Sequence, residues 1–210
     1  QLAVEEKGIY SIEKFLVSRR VMYWQVYLHK TVLSAEQMLI AILKRAKKLI
    51  TKNVKVFASE SLQKLLKIDF SLISKELIIK DYLDVFADLD DVDILAMIKA
   101  NNNHTDFILS YMCQSLLKRR LFKISLQVDS ISESFIEHKL QDIIETFGVK
   151  KSVAKDLILE GQESNLTYNS KKEEIRILGK NGIVKPLSEF DTEFLKSSGV
   201  TKHFLCYPIK

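Results

Sequence analysis

Glycine, proline, cysteine and histidine are all scarce in this chain, and each shortage removes a class of reading. Six glycines and two prolines, Pro186 and Pro208, leave long stretches uninterrupted, so helix should dominate and tight turns should be few. The two cysteines, Cys113 and Cys206, lie far apart in the apolar stretches SYMCQSLL and HFLCYPI. They form neither a disulfide framework nor a zinc site, and a reducing cytoplasm suits them. The four histidines are isolated from one another: His138 follows Glu137 on a helix, where neighbours diverge, and His203 falls in an apolar strand. No apolar run approaches the roughly 18 residues of a membrane span, and AEQMLIAIL is broken by polar residues at helical spacing. Gln1 stands where a methionine would start a chain, and QLAVEEKG has no basic or apolar leader. The opening therefore reads as an internal cut and not as a signal peptide.

What is present is ordinary for a globular protein. With 210 residues, 47% hydrophobic and 28% charged, the chain can bury a sizeable core. Its formal net charge of +5 favours anionic ligands without choosing between small phosphorylated molecules and nucleic acid.

The periodicity predicts one long helix over residues 8–30, with Ile12, Phe15, Leu16 and Val26 among its apolar members. A second follows over 31–52, where Leu33, Met38, Ile42 and Leu49 make an apolar stripe and Lys44, Arg45, Lys47 and Lys48 decorate the rest; the two are expected to form an antiparallel hairpin. In YLDVFADLDDVDILAMIKANNN, aspartates lead an apolar run and asparagines close it, matching helix start and stop signals. HTDFILSYMCQSLLKRR reads as a further helix capped near Thr105. From Leu121 the character changes: LFKISLQV alternates as a strand, SESFIEHKLQDIIETFG is a helix stopped by Gly148, and SVAKDLILEG is a short helix. EEIRILG, the turn GKNG and GIVKPL form a hairpin, and HFLCYPI is a last strand. The expected fold is mainly α, a helical unit over residues 1–120 followed by a small α+β region over 121–210.

Arg19, Tyr23 and Tyr27 recur at i, i+4 and i+8, with Lys30 three residues beyond, so all four are expected on one sector of the first helix. At a helical rise of ~1.5 Å per residue the stripe spans roughly 16 Å, about the length of an extended nucleoside triphosphate. An arginine fork can grip phosphate oxygens, a lysine supplies a point charge, and a tyrosine offers a ring face and a hydroxyl to a sugar or base. A solvated basic and aromatic face has the same spacing, so the spacing leaves both readings open. The aspartates at 84, 88, 90, 91 and 93 could suggest calcium. A loop begun at Asp88, however, puts Val92 at the fifth position and Lys99 where the bidentate glutamate belongs, which favours a helix N-terminus. KRAKK and LKRR lack the interleaved aromatics of a stacking platform and read as solvated faces before nucleic-acid or allosteric-nucleotide surfaces.

Three stretches, in order, resemble the HD-superfamily deoxynucleoside triphosphate triphosphohydrolases. EKGIYSIEKFLVSRRVMYWQVYLHKTV is similar to their signature helix with its Tyr-x-His-Lys ending, here Tyr27, Leu28, His29 and Lys30. LDDVDILAMIK resembles an acidic-led helix, and LLKRRLFKISLQV an Arg-x-Leu-Phe-Lys entry to the C-terminal region. The resemblance covers residues 1 to about 128. It implies that Arg19 contacts substrate phosphates, that Tyr27 packs on the deoxyribose, that Tyr23 stands where the family has a histidine, and that Lys30 binds phosphate. His29 would be a regulatory or interface residue, and Leu28 replaces a polar family residue. It also implies a divalent metal ion such as Mg, Mn or Fe, held by a histidine, a His-Asp pair and a further aspartate that precede the signature helix. This chain has no His-Asp dipeptide. The expectation is therefore a C-terminal portion of a cytoplasmic, homo-oligomeric nucleotide phosphohydrolase, inactive alone, with no catalytic or metal residue in these 210 positions. A non-catalytic nucleotide-sensing or helical interaction module is the alternative, and a nucleic-acid binder ranks last.

Overall fold

The apolar stripe of the second helix is where much of the core condenses. In the computed structural model, which describes residues 2–69, 82–164, 174–190 and 200–209, α2 spans Lys30–Thr51. Leu33, Met38 and Ile42 on it are wholly buried and Leu49 nearly so, as a single apolar face at helical spacing requires. The described residues are mainly helical, with small sheets gathered toward the C-terminal end, matching the expected class. No described helix is long and apolar enough to cross a membrane.

Two compact units share the sequence, one of Gln1–Leu33, Ser125–Ser132 and Glu160–Leu205, the other of Ser34–Ile124, Glu133–Leu159 and Cys206–Lys210. They interleave, whereas the sequence reading cut the chain once at residue 121. The expected hairpin of the first two helices is divided in the same way, because α1 (Ile9–Met22) and most of α2 fall to different units.

The second unit is helical. Ser59 caps α3 (Glu60–Lys67) by accepting from Leu62 N. Asp90 and Asp93 close a capping box on α4 (Asp91–Ala100), so these carboxylates serve a helix start. Asp106, one residue after the expected cap, accepts from Leu109 N and starts α5 (Phe107–Leu117). α6 (Glu133–Phe147) ends at Gly148, whose φ of 62° lets its N–H reach Ile144 O at 2.9 Å; this is the left-handed stop that glycine makes without strain. α7 (Lys151–Lys155) is shorter than SVAKDLILEG suggested, since Leu159–Ser164 leaves it as a strand with alternating exposure.

Buried polar groups in this unit are paired. Ser34 Oγ donates to Phe122 O at 2.7 Å, and Phe122 N donates to Met38 Sδ at 3.3 Å. Asn101 at the end of α4 donates to Phe57 O and Met97 O and accepts from Phe57 N. Arg45 on α2 donates through Nε to Asp106 Oδ1 at 2.9 Å, through a terminal nitrogen to Asp106 Oδ2, and through the other to Asp156 Oδ2 at 2.8 Å. One guanidinium thus ties α2 to the start of α5 and the end of α7. Cys113 and Cys206 are buried free thiols, and burial pushes both up to about 12, far from the thiolate form that reacts.

The first unit holds one complete three-stranded sheet and most residues of another. β1 (Val4–Glu5) pairs in parallel with β4 (Arg176–Leu178), which pairs antiparallel with β5 (Val184–Pro186) in the register Ile177 to Lys185. This is the hairpin expected around GKNG: Gly179 N donates to Ile183 O at 2.9 Å, and Gly182 takes a φ of 76°. Leu16, Ile177 and Leu187 form its core, flanked by Ile9, Ile12, Ile175 and Phe190. The other sheet has the order β2-β6-β3, built from Lys123–Gln127, Thr201–Tyr207 and Leu159–Ser164.

Two stability predictions follow from this packing. A Cβ at Gly161 of β3 would lie 2.6 Å from Phe204 Cζ, and Phe204 is buried; Gly161→Ala should therefore destabilise by about 1–3 kcal/mol in denaturant titration. For Asp106, burial pushes the carboxyl up, but the Arg45 and Leu109 hydrogen bonds and the charges of Arg45 and His104 outweigh it and hold it below the usual carboxylate range. A depressed folded value means stability that is present above the unfolded value near ~4 and lost as pH falls through the folded one. Arg45→Gln should cost about 3 kcal/mol at neutral pH, and the gap from wild type should narrow as the pH drops below about 4.

Candidate functional site

α1 turns Ile9, Ile12 and Leu16 toward the small core of its unit. Its other sides carry Tyr10, Phe15, Val17, Val21 and Met22 to the surface, although Phe15 was among the residues expected in the apolar stripe. At Tyr23 the helix widens: residues Tyr23–Tyr27 form a π turn, closed by Leu28 N donating to Tyr23 O at 2.7 Å. Such i to i−5 turns are rare and occur mostly as single turns, frequently at functional sites. The sequence reading ran one α-helix through to Lys30, so the wide turn is a correction to it. Leu28, at φ −101° and ψ 22°, then leaves the helix.

The turn keeps three of the expected site residues together. Arg19 Cζ lies 6.0 Å from the Tyr23 ring centroid, and the rings of Tyr23 and Tyr27 are 5.2 Å apart with a 55° tilt. Arg19 is exposed, Tyr23 is half-buried, and Tyr27 has 55% of its surface free. The result is a cation beside two tilted phenol rings, all reachable from solvent. An arginine fork donates to phosphate oxygens, while the rings offer an apolar face and hydroxyls.

Lys30 does not join them on that helix. It is the first residue of α2, exposed and beyond the break, because the wide turn and Leu28 end the helical phase that the spacing assumed. His29 lies in the break, where its Nδ1 accepts from Thr31 N at 3.3 Å and its carbonyl accepts from Leu33 N at 3.0 Å. In the structure it serves as the start of α2, its ring exposed.

Trp24 also lies in the wide turn, and Lys202 Nζ of β6 sits 4.0 Å from its ring centroid. No sequence signal paired these two, which are separated by most of the chain. Arg45 was likewise missed: within KRAKK it is largely buried by its two carboxylates, and Lys47 donates to Ile68 O at 2.6 Å, so half of a run read as solvated is structural. The LKRR run does line a cleft of about 550 Å³ in the second unit, with Lys118, Arg119 and Arg120 facing Tyr111 and Phe147.

Among the described residues no group of three or more His, Cys, Asp or Glu could hold a metal ion. His104 is fully used, accepting from Asp106 N at 2.9 Å through Nδ1 and meeting Lys55 O at 2.8 Å through Nε2. The metal implied by the resemblance therefore finds no fitting donor set in these residues.

Residues 1–81 match the family model described as the HD associated region. Over 217 aligned residues the chain is 30% identical to the uncharacterized protein YwfO of Bacillus subtilis (strain 168), covering 99% of this chain and 47% of that protein. The crystal structure of a phosphohydrolase from Bacteroides thetaiotaomicron VPI-5482 superposes with a TM-score of 0.85 at 36% identity, covering 100% of this chain and 52% of that one. A hypothetical protein from Aquifex aeolicus shares the fold, with a TM-score of 0.56 at 18% identity, covering 99% of this chain and 44% of its own. The chain thus spans about half the length of the relatives it matches. The similarities are therefore an HD associated region over residues 1–81 and a fold shared along the whole chain with about half of a phosphohydrolase.

Proposed function

We propose that this chain is the substrate-gripping portion of a metal-dependent HD phosphohydrolase that acts on deoxynucleoside triphosphates, with water as nucleophile and the deoxynucleoside and triphosphate as products. The observation that carries the reading is the solvent-reachable group at the π turn, where Tyr23 stands 6.0 Å from the Arg19 guanidinium carbon and 5.2 Å from the Tyr27 ring. Arg19 takes the phosphate oxygens through its fork, since charge-assisted bidentate pairs are the strongest such contacts. The Tyr27 ring packs on the sugar, and the Tyr23 hydroxyl donates to a phosphate oxygen. Lys30 contributes a point charge from the start of α2, which needs no fixed geometry to act. His29 stands at a regulatory or interface position. The divalent ion, Mg, Mn or Fe, belongs to another part of the parent polypeptide, so these 210 residues bind nucleotide without turning it over. The parent forms a homo-oligomer, as the resemblance to the triphosphohydrolases implies.

The full-length parent, given divalent metal and a panel of deoxynucleoside and ribonucleoside triphosphates, should hydrolyse the deoxy forms. Arg19→Ala should lower kcat/KM by about 10- to 100-fold, the worth of one charge-assisted hydrogen bond set. A variant that keeps wild-type turnover and affinity removes Arg19 from the site. Binding without turnover by the wild-type parent replaces hydrolysis with nucleotide sensing, and steeply salt-dependent binding of oligonucleotides points to nucleic acid instead.

A further inference from the structure

We infer that Lys202 is a positioning residue for the nucleotide site, acting through Trp24 to hold the wide turn that carries Tyr23 and Tyr27; this rests on the function proposed above. The five-residue turn closes on Leu28 N donating to Tyr23 O at 2.7 Å, and none of its residues is fully buried. A π turn is uncommon because an α-helical path is available to the same residues, so something outside the helix must favour it. Arg19 and Tyr27 are exposed and poorly placed to supply that bias, and the contacts of Tyr23 are with those same two side chains. Trp24 can supply it. Its ring is half-buried, and the Lys202 ammonium lies 4.0 Å from the centroid, inside the range where a cation over an indole face is attracted most strongly. Among the described residues the ring is the partner the structure gives that ammonium. Lys202 is itself fixed by its place in β6, the middle strand of the β2-β6-β3 sheet. The sheet thereby sets where Trp24 stands, and Trp24, one residue after Tyr23 and three before Tyr27, sets the phase of both rings.

If the contact is lost, the turn can relax toward the α-helical path and rotate Tyr27 relative to Arg19. The consequence belongs to substrate binding, because the residues displaced are those that grip it. In the full-length parent, Lys202→Met should raise KM for the deoxynucleoside triphosphate about three- to tenfold, the weight of one partly desolvated cation–π contact, with kcat nearly unchanged. Lys202→Arg should restore KM, because a guanidinium also stacks on indole. Trp24 is the one tryptophan in these 210 residues, so in the full-length parent the same substitutions can be read as the difference in tryptophan emission between wild type and variant. Emission should brighten in Lys202→Met, where the quenching ammonium is gone. A purely structural role would instead lower kcat through loss of active protein, leave KM in place and show as a reduced Tm; that pattern overturns the proposal. If the wild-type parent turns over no nucleotide, the function proposed above fails by itself. The anchoring is then decided by emission alone, and an unchanged tryptophan signal in Lys202→Met overturns it.

Discussion

The hydrogen bond from Leu28 N to Tyr23 O is the constraint on which the arrangement of the site depends. By reaching back five residues and not four, it places an extra residue in the last turn of the opening helix and ends the regular phase there. Two consequences follow from that one bond. Tyr23 and Tyr27 remain neighbours across the wide turn and near Arg19, so a cation and two rings stay clustered. Lys30 is released from the helix that its spacing suggested and opens α2 in their place. The cationic and phenolic stripe is thus split into a clustered part and a separate charge.

In the second unit, Arg45 has the comparable role for stability. Its fork is matched by both oxygens of Asp106 and one of Asp156, and Asp106 at the same time caps α5. A helix start with a carboxylate already satisfies exposed backbone N–H groups; pairing that carboxylate with a part-buried guanidinium joins cap, charge and packing in one place. The cost is dependence. Removing the arginine leaves the largely buried Asp106 carboxylate without its ion-pair partner, while Asp156 keeps Lys48 at 3.7 Å; a buried charge left unpaired is the situation in which broken ion pairs destabilise most.

How far the sequence foretold this differs from element to element, for physical reasons. The α2 stripe, the glycine stop at Gly148, the GKNG hairpin and the aspartate-led start of α4 were legible because each is decided within a few residues, by period, by positive φ or by a capping carboxylate. The Tyr23–Tyr27 turn was not, because α and π paths share the same side chains at nearly the same spacing. Nor was the structural part of KRAKK: a lysine or arginine on a helix reads as solvated until a carboxylate 61 or 111 residues away is placed beside it. Lys202 and Trp24 are a pair of the same kind. The single boundary at residue 121 was drawn where strands were expected to begin, yet β1 lies at Val4–Glu5 and the units interleave along the sequence, since strands from one stretch of sequence complete sheets with strands from another. Of the candidate site, the clustering of Arg19, Tyr23 and Tyr27 was legible and the separation of Lys30 was not.

The surface of α1 bears on the proposed function. Apolar residues occur on every side of this helix, yet among its residues only Leu16 is buried, while Phe15, Val17, Val21 and Met22 are open. Large apolar side chains left exposed in this number along one helix offer surface that a partner can cover. Arg19 and Tyr27 lie on this same helix and its terminal turn. Cover laid over the open apolar side chains would lower the local dielectric near the arginine and strengthen its hold on a phosphate. On the proposed function, that cover brings the metal-bearing part of the polypeptide to the helix that grips the substrate, so that burial of α1 and completion of the active site are one event. The exposed apolar side chains and the exposed cation are then explained together: each is left open for the surface that the other needs.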